Sequence, residues 1–310
     1  MKLLHLALAV PVFLGVAVVN GYMSRAGRDE ERGSVVVDAR QRTYELHVPS
    51  GYDGNQDVPL LVALHGRFGT GSGQQKLAHL DRTSDRFGFL VVYPDGLERS
   101  WADGRGATPS DRNGIDDVKF VSLLIDRLES NYRVDRRRVY ITGMSNGGFL
   151  SGRLACELSA RIAAVAIVAA SLSDDLAANC HPTNAVSVMI VQGTEDPLVP
   201  FRGGALGPNP RGGVVLSHDA AVEKFVALNH CSGEPRKEHI ADDAGDGTTL
   251  DVTRFLSCAE GSEVGSYVVN GGGHAWPGGL PYLPSVFIGK TTGNLDGSTV
   301  VWEFLSRHSR

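Results

Sequence analysis

Val139-Tyr-Ile-Thr-Gly-Met-Ser145-Asn-Gly-Gly-Phe-Leu150 carries the reading of the whole chain. Residues 139–142 are β-branched or aromatic, the composition of a short buried strand. A glycine-bracketed serine follows at once, and then residues that can start a helix. This is the sequence form of a sharp strand–turn–helix elbow, G-x-S-x-G. So tight a turn needs flanking positions nearly free of side chain, which accounts for Gly143, Gly147 and Gly148 around Ser145. Its use would be to hold the serine hydroxyl at the carboxyl edge of a sheet, against the positive end of a helix. In a chain with 38 glycines such a pentapeptide can also arise by chance. The assignment therefore depends on partners for Ser145 elsewhere.

Outward from the elbow, strands alternate with helices. Residues 59–65, 89–93, 163–169 and 185–191 are apolar almost throughout, as strands buried on both faces must be. Residues 75–87, 116–132, 217–229 and 295–308 show helical spacing, for example Val118, Val121, Leu124, Ile125 and Leu128. The alternation predicts an α/β fold, a mostly parallel central sheet with helices on both faces. Residues 34–37 and 42–48 read as antiparallel strands at its start. Residues 238–240 and 249–256 flank a hairpin tip, and 264–269 form the last strand. Asp116 and Asp117 are expected to cap the helix they begin. The aspartates of residues 242–246 fit no calcium-loop spacing. With no repeat and no internal linker, residues 35–310 are expected to be a single domain.

Composition bounds the function classes. At 310 residues the chain can bury a full α/β core, and 42% hydrophobic with 21% charged residues is ordinary for a globular protein. A net charge of −5 gives no reason to expect a nucleic-acid partner. Arg136-Arg137-Arg138, the densest basic cluster, reads as a solvated turn before the strand at Val139. At the amino end, Lys2 precedes an apolar run over residues 3–19, broken only by His5 and Pro11. That pattern predicts a signal peptide over residues 1–21, cleaved after Gly21 or after Ala26, and a linker over 22–34. The expected destination is secreted or periplasmic, without stable membrane association after cleavage. An uncleaved anchor is the alternative, since the run is only slightly below spanning length.

Cys156, Cys180, Cys231 and Cys258 suit an oxidising compartment, and the absence of any C-x-x-C pair argues against a metal site. Of three possible pairings we expect the local one, Cys156–Cys180 and Cys231–Cys258, because each pair flanks a compact unit. Each bond would stabilise by roughly 3–4 kcal/mol in the chain-entropy view.

A serine at its ordinary pKa needs an adjacent base, itself oriented by a third group. After a G-x-S-x-G elbow these follow as acid, then histidine, each on a loop after a strand. Asp196 stands in Gly193-Thr-Glu-Asp-Pro-Leu-Val-Pro200, at the carboxyl end of an apolar strand, with Glu195 as its competitor. His274 stands in Asn270-Gly-Gly-Gly-His-Ala-Trp-Pro-Gly278, directly after the last strand. An oxyanion hole would combine the Asn146 amide with one from the His65-Gly66-Arg67 loop, that of Arg67. Trp101 and Trp276 are candidate walls that stack on a substrate ring or polymer chain.

With Leu64-His-Gly66, Gly143-Met-Ser-Asn-Gly-Gly148, Gly193 to Pro200 and Gly272-Gly-His-Ala-Trp-Pro-Gly-Gly279 in view, the chain resembles a known family. It is similar to the secreted poly(3-hydroxybutyrate) depolymerases, feruloyl esterases and acetylxylan esterases of the α/β-hydrolase superfamily, over about residues 35–310. Tyr93-Pro-Asp-Gly96, Trp101 and Asp116-Asp117-Val118 also match. The resemblance implies a triad of Ser145, Asp196 and His274, ester hydrolysis without a cofactor, and the local disulfide pairing. It implies an ester substrate, one derived from a polymer included. Many relatives have cysteine after the His-Gly where this chain has Arg67, and a guanidinium there could favour acidic or phenolic substrates. No separate polymer-binding segment is expected after the closing helix, which favours soluble esters or oligomers. A serine peptidase would need an added propeller or large lid, and a non-catalytic carbohydrate-binding relative would lack a triad residue.

Overall fold

The apolar runs become the middle of one sheet. A computed structural model describes residues 30–206 and 212–310. Its first strands are β1 (Glu30–Val37), β2 (Arg40–His47), β3 (Val58–Leu64), β4 (Leu90–Pro94), β5 (Val134–Met144), β6 (Ala164–Val168) and β7 (Ser187–Gly193). β8 (Gly204–Ala205) and β9 (Val214–Val215) form a separate two-stranded ribbon. The chain returns to the main sheet with β10 (Arg236–Ile240), β11 (Thr249–Phe255) and β12 (Val264–Asn270). Among the described residues the ten strands lie in the order β1-β2-β4-β3-β5-β6-β7-β12-β11-β10. The run from β4 to β12 is parallel, and antiparallel pairs close both sides.

The helices are α1 (Gly71–Ala78), α2 (Leu80–Phe87), α3 (Pro109–Arg112), α4 (Asp117–Asn131), α5 (Asn146–Glu157), α6 (Asp174–Asn179), α7 (His218–Leu228), α8 (Ser285–Ile288) and α9 (Gly297–Leu305). Alternation along each strand sends side chains to two separate cores. In β3, Leu60, Val62 and Leu64 face the core shared with Val121 and Leu124 of α4, Phe149 and Leu154 of α5, and Phe225 of α7. Leu61 and Ala63 face the other, with Leu80 of α2 and Trp302 and Phe304 of α9. Both faces of the sheet are therefore dry along its middle, which is why strands such as β3 and β6 are apolar throughout.

Several expectations change in detail. The helix expected over residues 75–87 is two, because His79 adopts a left-handed conformation (φ 54°) and breaks it. Arg136, Arg137 and Arg138 belong to β5 rather than to a turn, although the first two remain exposed. Asp116 caps α4 through the Lys119 amide, whereas Asp117 turns inward. It pairs with the buried Arg42 guanidinium at 2.6 Å and accepts the Ala102 amide at 2.7 Å. A buried guanidinium must find such a partner, and Arg42 also stacks on Phe120 at 3.9 Å. Residues 30–34, expected in the linker, are already strand. The signal-peptide expectation and the rest of that linker lie outside the described residues.

Disulfides join Cys156 to Cys180 and Cys231 to Cys258. The first ties the end of α5, the helix that follows Ser145, to the end of α6.

Candidate active site

Ser145 occupies the single residue between β5 and α5, with φ 56° and ψ −122°. A left-handed conformation costs a non-glycine residue about 1–3 kcal/mol and persists only where the surroundings fix it. Here the Ser145 amide donates to Val168 in β6 at 2.9 Å, and its carbonyl accepts from Phe149 in α5 at 2.9 Å. The flanking glycines are required by close approach. A Cβ on Gly143 would lie 2.4 Å from the Gly147 carbonyl oxygen, and one on Gly147 would lie 2.4 Å from that of Leu64.

β7 and β12 are parallel neighbours, with Val269 in register with Gly193, so the loops that follow them begin side by side. They bring Asp196 and His274 together. The His274 Nδ1 lies 2.7 Å from Asp196 Oδ2, and both side chains are buried. Asp196 Oδ1 accepts the amides of Leu198 and Val199, each at 2.8 Å. A carboxylate held by three donors is an acceptor only, so Nδ1 of His274 carries the hydrogen and Nε2 presents a lone pair. Glu195, the competing acid, is exposed. The Gly272-Gly273 pair lets this loop pack tightly, since a Cβ on Gly273 would lie 2.1 Å from the Ile288 carbonyl oxygen.

His65 fixes the facing loop, a role the sequence reading did not assign to its side chain. Gly96 donates to His65 Nε2 at 2.9 Å, so the hydrogen is on Nδ1, which lies 2.7 Å from the Gly66 carbonyl oxygen. Burial lowers the His65 pKa, in keeping with a neutral ring whose two nitrogens are both engaged. The peptide bond is trans, so the Arg67 N–H points opposite to that carbonyl. Gly66 sits against the elbow, where a Cβ on it would be 3.4 Å from the Ser145 Cβ.

Asn146, the first residue of α5, is fixed by its own side chain. Its Oδ1 accepts the Trp101 amide at 2.8 Å, and its Nδ2 donates to Trp101 O at 3.1 Å and Asp103 Oδ2 at 2.6 Å. Burial pushes the Asp103 carboxyl up while the forked Arg105 guanidinium pulls against it. Nothing in the sequence announced this network, because Asp103 stands in a turn-rich loop.

Ser145, His274, Arg67 and Asn146 line one cavity of about 830 Å³, the size of a small-molecule site. Its walls are largely apolar, with Leu77, Met144, Phe149, Leu198, Val199 and Leu206. Trp101 and Trp276 were expected among them and are not. Trp101 is wholly buried, its Nε1 donating to His65 O at 2.8 Å and its indole against the His65 ring. Trp276 is buried with its Nε1 on Ser298 Oγ at 3.0 Å. Each indole is spent on the scaffold. The exposed aromatic groups at the cavity are instead Phe68 and Tyr282. The Tyr282 hydroxyl donates to the His274 carbonyl at 3.3 Å.

The profile of the family described as "Esterase PHB depolymerase" matches residues 42–201. The chain belongs to this family. It is 31% identical over 280 residues to NocK of Nocardia uniformis subsp. tsuyamanensis, a protein named as an esterase, covering 87% of this chain and 81% of that one. It is 28% identical over 246 residues to feruloyl esterase C of Emericella nidulans, covering 75% and 76%. Feruloyl esterase B of Piromyces equi is 28% identical over 235 residues, 73% of this chain but 41% of that longer protein. Among solved structures, the acetyl xylan esterase of Aspergillus awamori superposes with a TM-score of 0.60 at 14% identity, over 89% of this chain and 99% of that one. The fold is that of the α/β-hydrolases, and the protein is a carboxylic ester hydrolase.

Proposed function

We propose that this esterase works through a triad of Ser145, His274 and Asp196. The observation that carries the reading is the buried 2.7 Å pairing of Asp196 with His274, which leaves Nε2 as a base on the cavity that Ser145 lines. As Ser145 Oγ attacks the ester carbonyl, its proton passes to His274 Nε2. The tetrahedral oxyanion is received by the amides of Arg67 and Asn146. Collapse breaks the bond to the alcohol, which leaves with the proton from His274. Water, deprotonated by the same nitrogen, then releases the acid and restores the serine. No step calls for a cofactor.

The substrates proposed are hydroxybutyrate oligomers, or feruloyl and acetyl esters of plant polysaccharide. Relatives named as feruloyl esterases, together with the apolar cavity walls, support this range. Secretion is part of the proposal, with residues 1–21 as a cleaved signal and residues 35–310 as one catalytic domain. The apolar amino-terminal run and two disulfides support it. Amino-terminal sequencing of the exported protein tests it, and retention of Met1 in a membrane fraction would refute it.

The decisive experiment is Ser145→Ala assayed on a short-chain 4-nitrophenyl ester. Turnover should vanish with the fold intact, and residual activity near the parent rate would end the assignment. A panel of methyl ferulate, acetylated xylan and hydroxybutyrate oligomers then ranks the substrates. A carbohydrate-binding relative would turn over none of them.

A further inference from the structure

The cavity over Ser145 has a charge imbalance that ester hydrolysis alone does not require. Among the described residues that line it, three are arginines, Arg67, Arg99 and Arg105, and none is aspartate or glutamate. Arg105 is already neutralised. It forks onto Asp103 at 2.6 and 3.0 Å and lies over the Phe149 ring at 4.1 Å.

Arg67 and Arg99 are different. Among the described residues neither has a carboxylate within 4.0 Å. Arg67 lies over the exposed Phe68 ring at 4.9 Å, and the Arg99 Nε reaches only the Gly69 carbonyl, at 3.5 Å. The nearby acids are engaged elsewhere. Asp95 accepts the Gly71 amide at 2.8 Å and the Thr43 hydroxyl at 2.7 Å, and Glu98 accepts the Asn113 side-chain amide at 2.7 Å.

The two segments that carry them are locked together. The Phe68 amide donates to the Arg99 carbonyl at 2.8 Å, and both residues are left-handed, with φ 66° and 54°. Such strained non-glycine conformations collect at ligand clamps. One unpaired surface arginine would mean nothing. Two exposed arginines on the same apolar cavity, with no acid among its described lining residues, form a cationic pair on the cavity that Ser145 also lines.

Resting on the esterase reading of the site, we infer that the preferred substrates are esters that also carry a free carboxylate, bound by Arg67 and Arg99 at the rim. The apolar walls between rim and elbow suit an aliphatic or aromatic chain joining the two groups. A hydroxyacid oligoester has this form, with its carboxylate on the alcohol side of the last ester bond. A half-ester of a dicarboxylic acid carries it on the acyl side.

The test compares matched pairs. One is a 3-hydroxybutyrate trimer against its terminal carboxamide, and the other is 4-nitrophenyl hydrogen glutarate against 4-nitrophenyl butyrate. In the parent enzyme one acid should exceed its neutral partner roughly tenfold in kcat/KM, mainly through KM, the scale of one charge-assisted hydrogen bond. The pair that shows the preference identifies the side of the ester that carries the charge. Arg67→Gln/Arg99→Gln should bring that ratio to about one, and because the ratio is read, any general loss of activity cancels. Should the double variant not fold, the parent enzyme still decides. Its preference should shrink from about 10 mM to about 1 M salt, as the Debye length falls from about 30 to about 3 Å. Equal kcat/KM within both pairs, or a preference insensitive to salt and to both substitutions, would overturn the inference. The esterase reading itself would fail separately, through activity retained in Ser145→Ala.

Discussion

The imidazole of His65 holds the carbonyl of Gly66 at 2.7 Å, and through that one peptide plane it aims the amide of Arg67. His65→Ala removes the grip. The peptide can then rotate, and kcat should fall by about 10²–10³ with KM little changed, the scale of one lost oxyanion donor. Steady-state kinetics on a 4-nitrophenyl ester check this, and a change confined to KM would contradict it.

Asp196 should matter chiefly for the tautomer of His274. In Asp196→Asn the amide can donate to Nδ1, which moves the hydrogen to Nε2 and removes the base. We expect kcat to fall roughly 10⁴-fold with the fold retained. Glu195→Gln, at an exposed position beside it, should stay within about twofold of the parent enzyme. If the two variants behaved alike, the choice of acid would be mistaken.

Arg42 and Asp117 form a buried pair that supports the loop carrying Trp101 and Asp103. Asp117→Ala leaves the guanidinium buried and unpaired, so stability should drop by about 3–5 kcal/mol. Urea denaturation measures it directly. A loss below about 1 kcal/mol would show that the guanidinium escapes to solvent.

Stability should also fall in mild acid. Burial lowers the pKa values of His218 and His308 to about 4. For His308, Glu263 opposes the shift, at 3.6 Å from Nε2. The unfolded chain then binds more protons than the folded one between about pH 6.5 and 4. Each histidine's contribution is complete above about pH 6.5 and lost as pH falls through that window, about 3 kcal/mol apiece by pH 4. Denaturation curves at about pH 7 and about pH 5 should differ accordingly, and His218→Gln should flatten the slope. A pH-independent midpoint across the window would exclude the mechanism.

Reduction should loosen the helix that follows Ser145. The disulfides close loops over sequence separations of 24 and 27 residues, each stabilising by roughly 3–4 kcal/mol in the chain-entropy view. Thermal melts with and without dithiothreitol should separate by several degrees for each bond. Coincident melts would show that the reduced chain retains the same constraint.

The parts legible beforehand were those written in local composition. Apolar strands such as β3 and β6 announce burial on both faces, and the elbow glycines announce a close approach, because nothing else satisfies those constraints. The break at His79 was hidden, since a left-handed histidine has no composition signal and the helical periodicity runs through it. Trp101 and Trp276 misled for a related reason. A large aromatic residue beside a motif serves equally as wall or scaffold, and only the partner of its indole N–H distinguishes the two. The links from His65 to Gly96 and from Asn146 to Asp103 span 31 and 43 residues. No window along the sequence contains both ends.

Asp196 and His274 stand at the ends of neighbouring parallel strands whose register is set by the sheet. Phe68, Arg99 and Tyr282 belong to separate segments outside the sheet that line the neighbouring cavity. The molecule thus divides inheritance from adaptation. By that division, exchanging side chains such as those of Phe68 and Arg99 should alter which ester is taken, while the strand register goes on holding Asp196 beside His274.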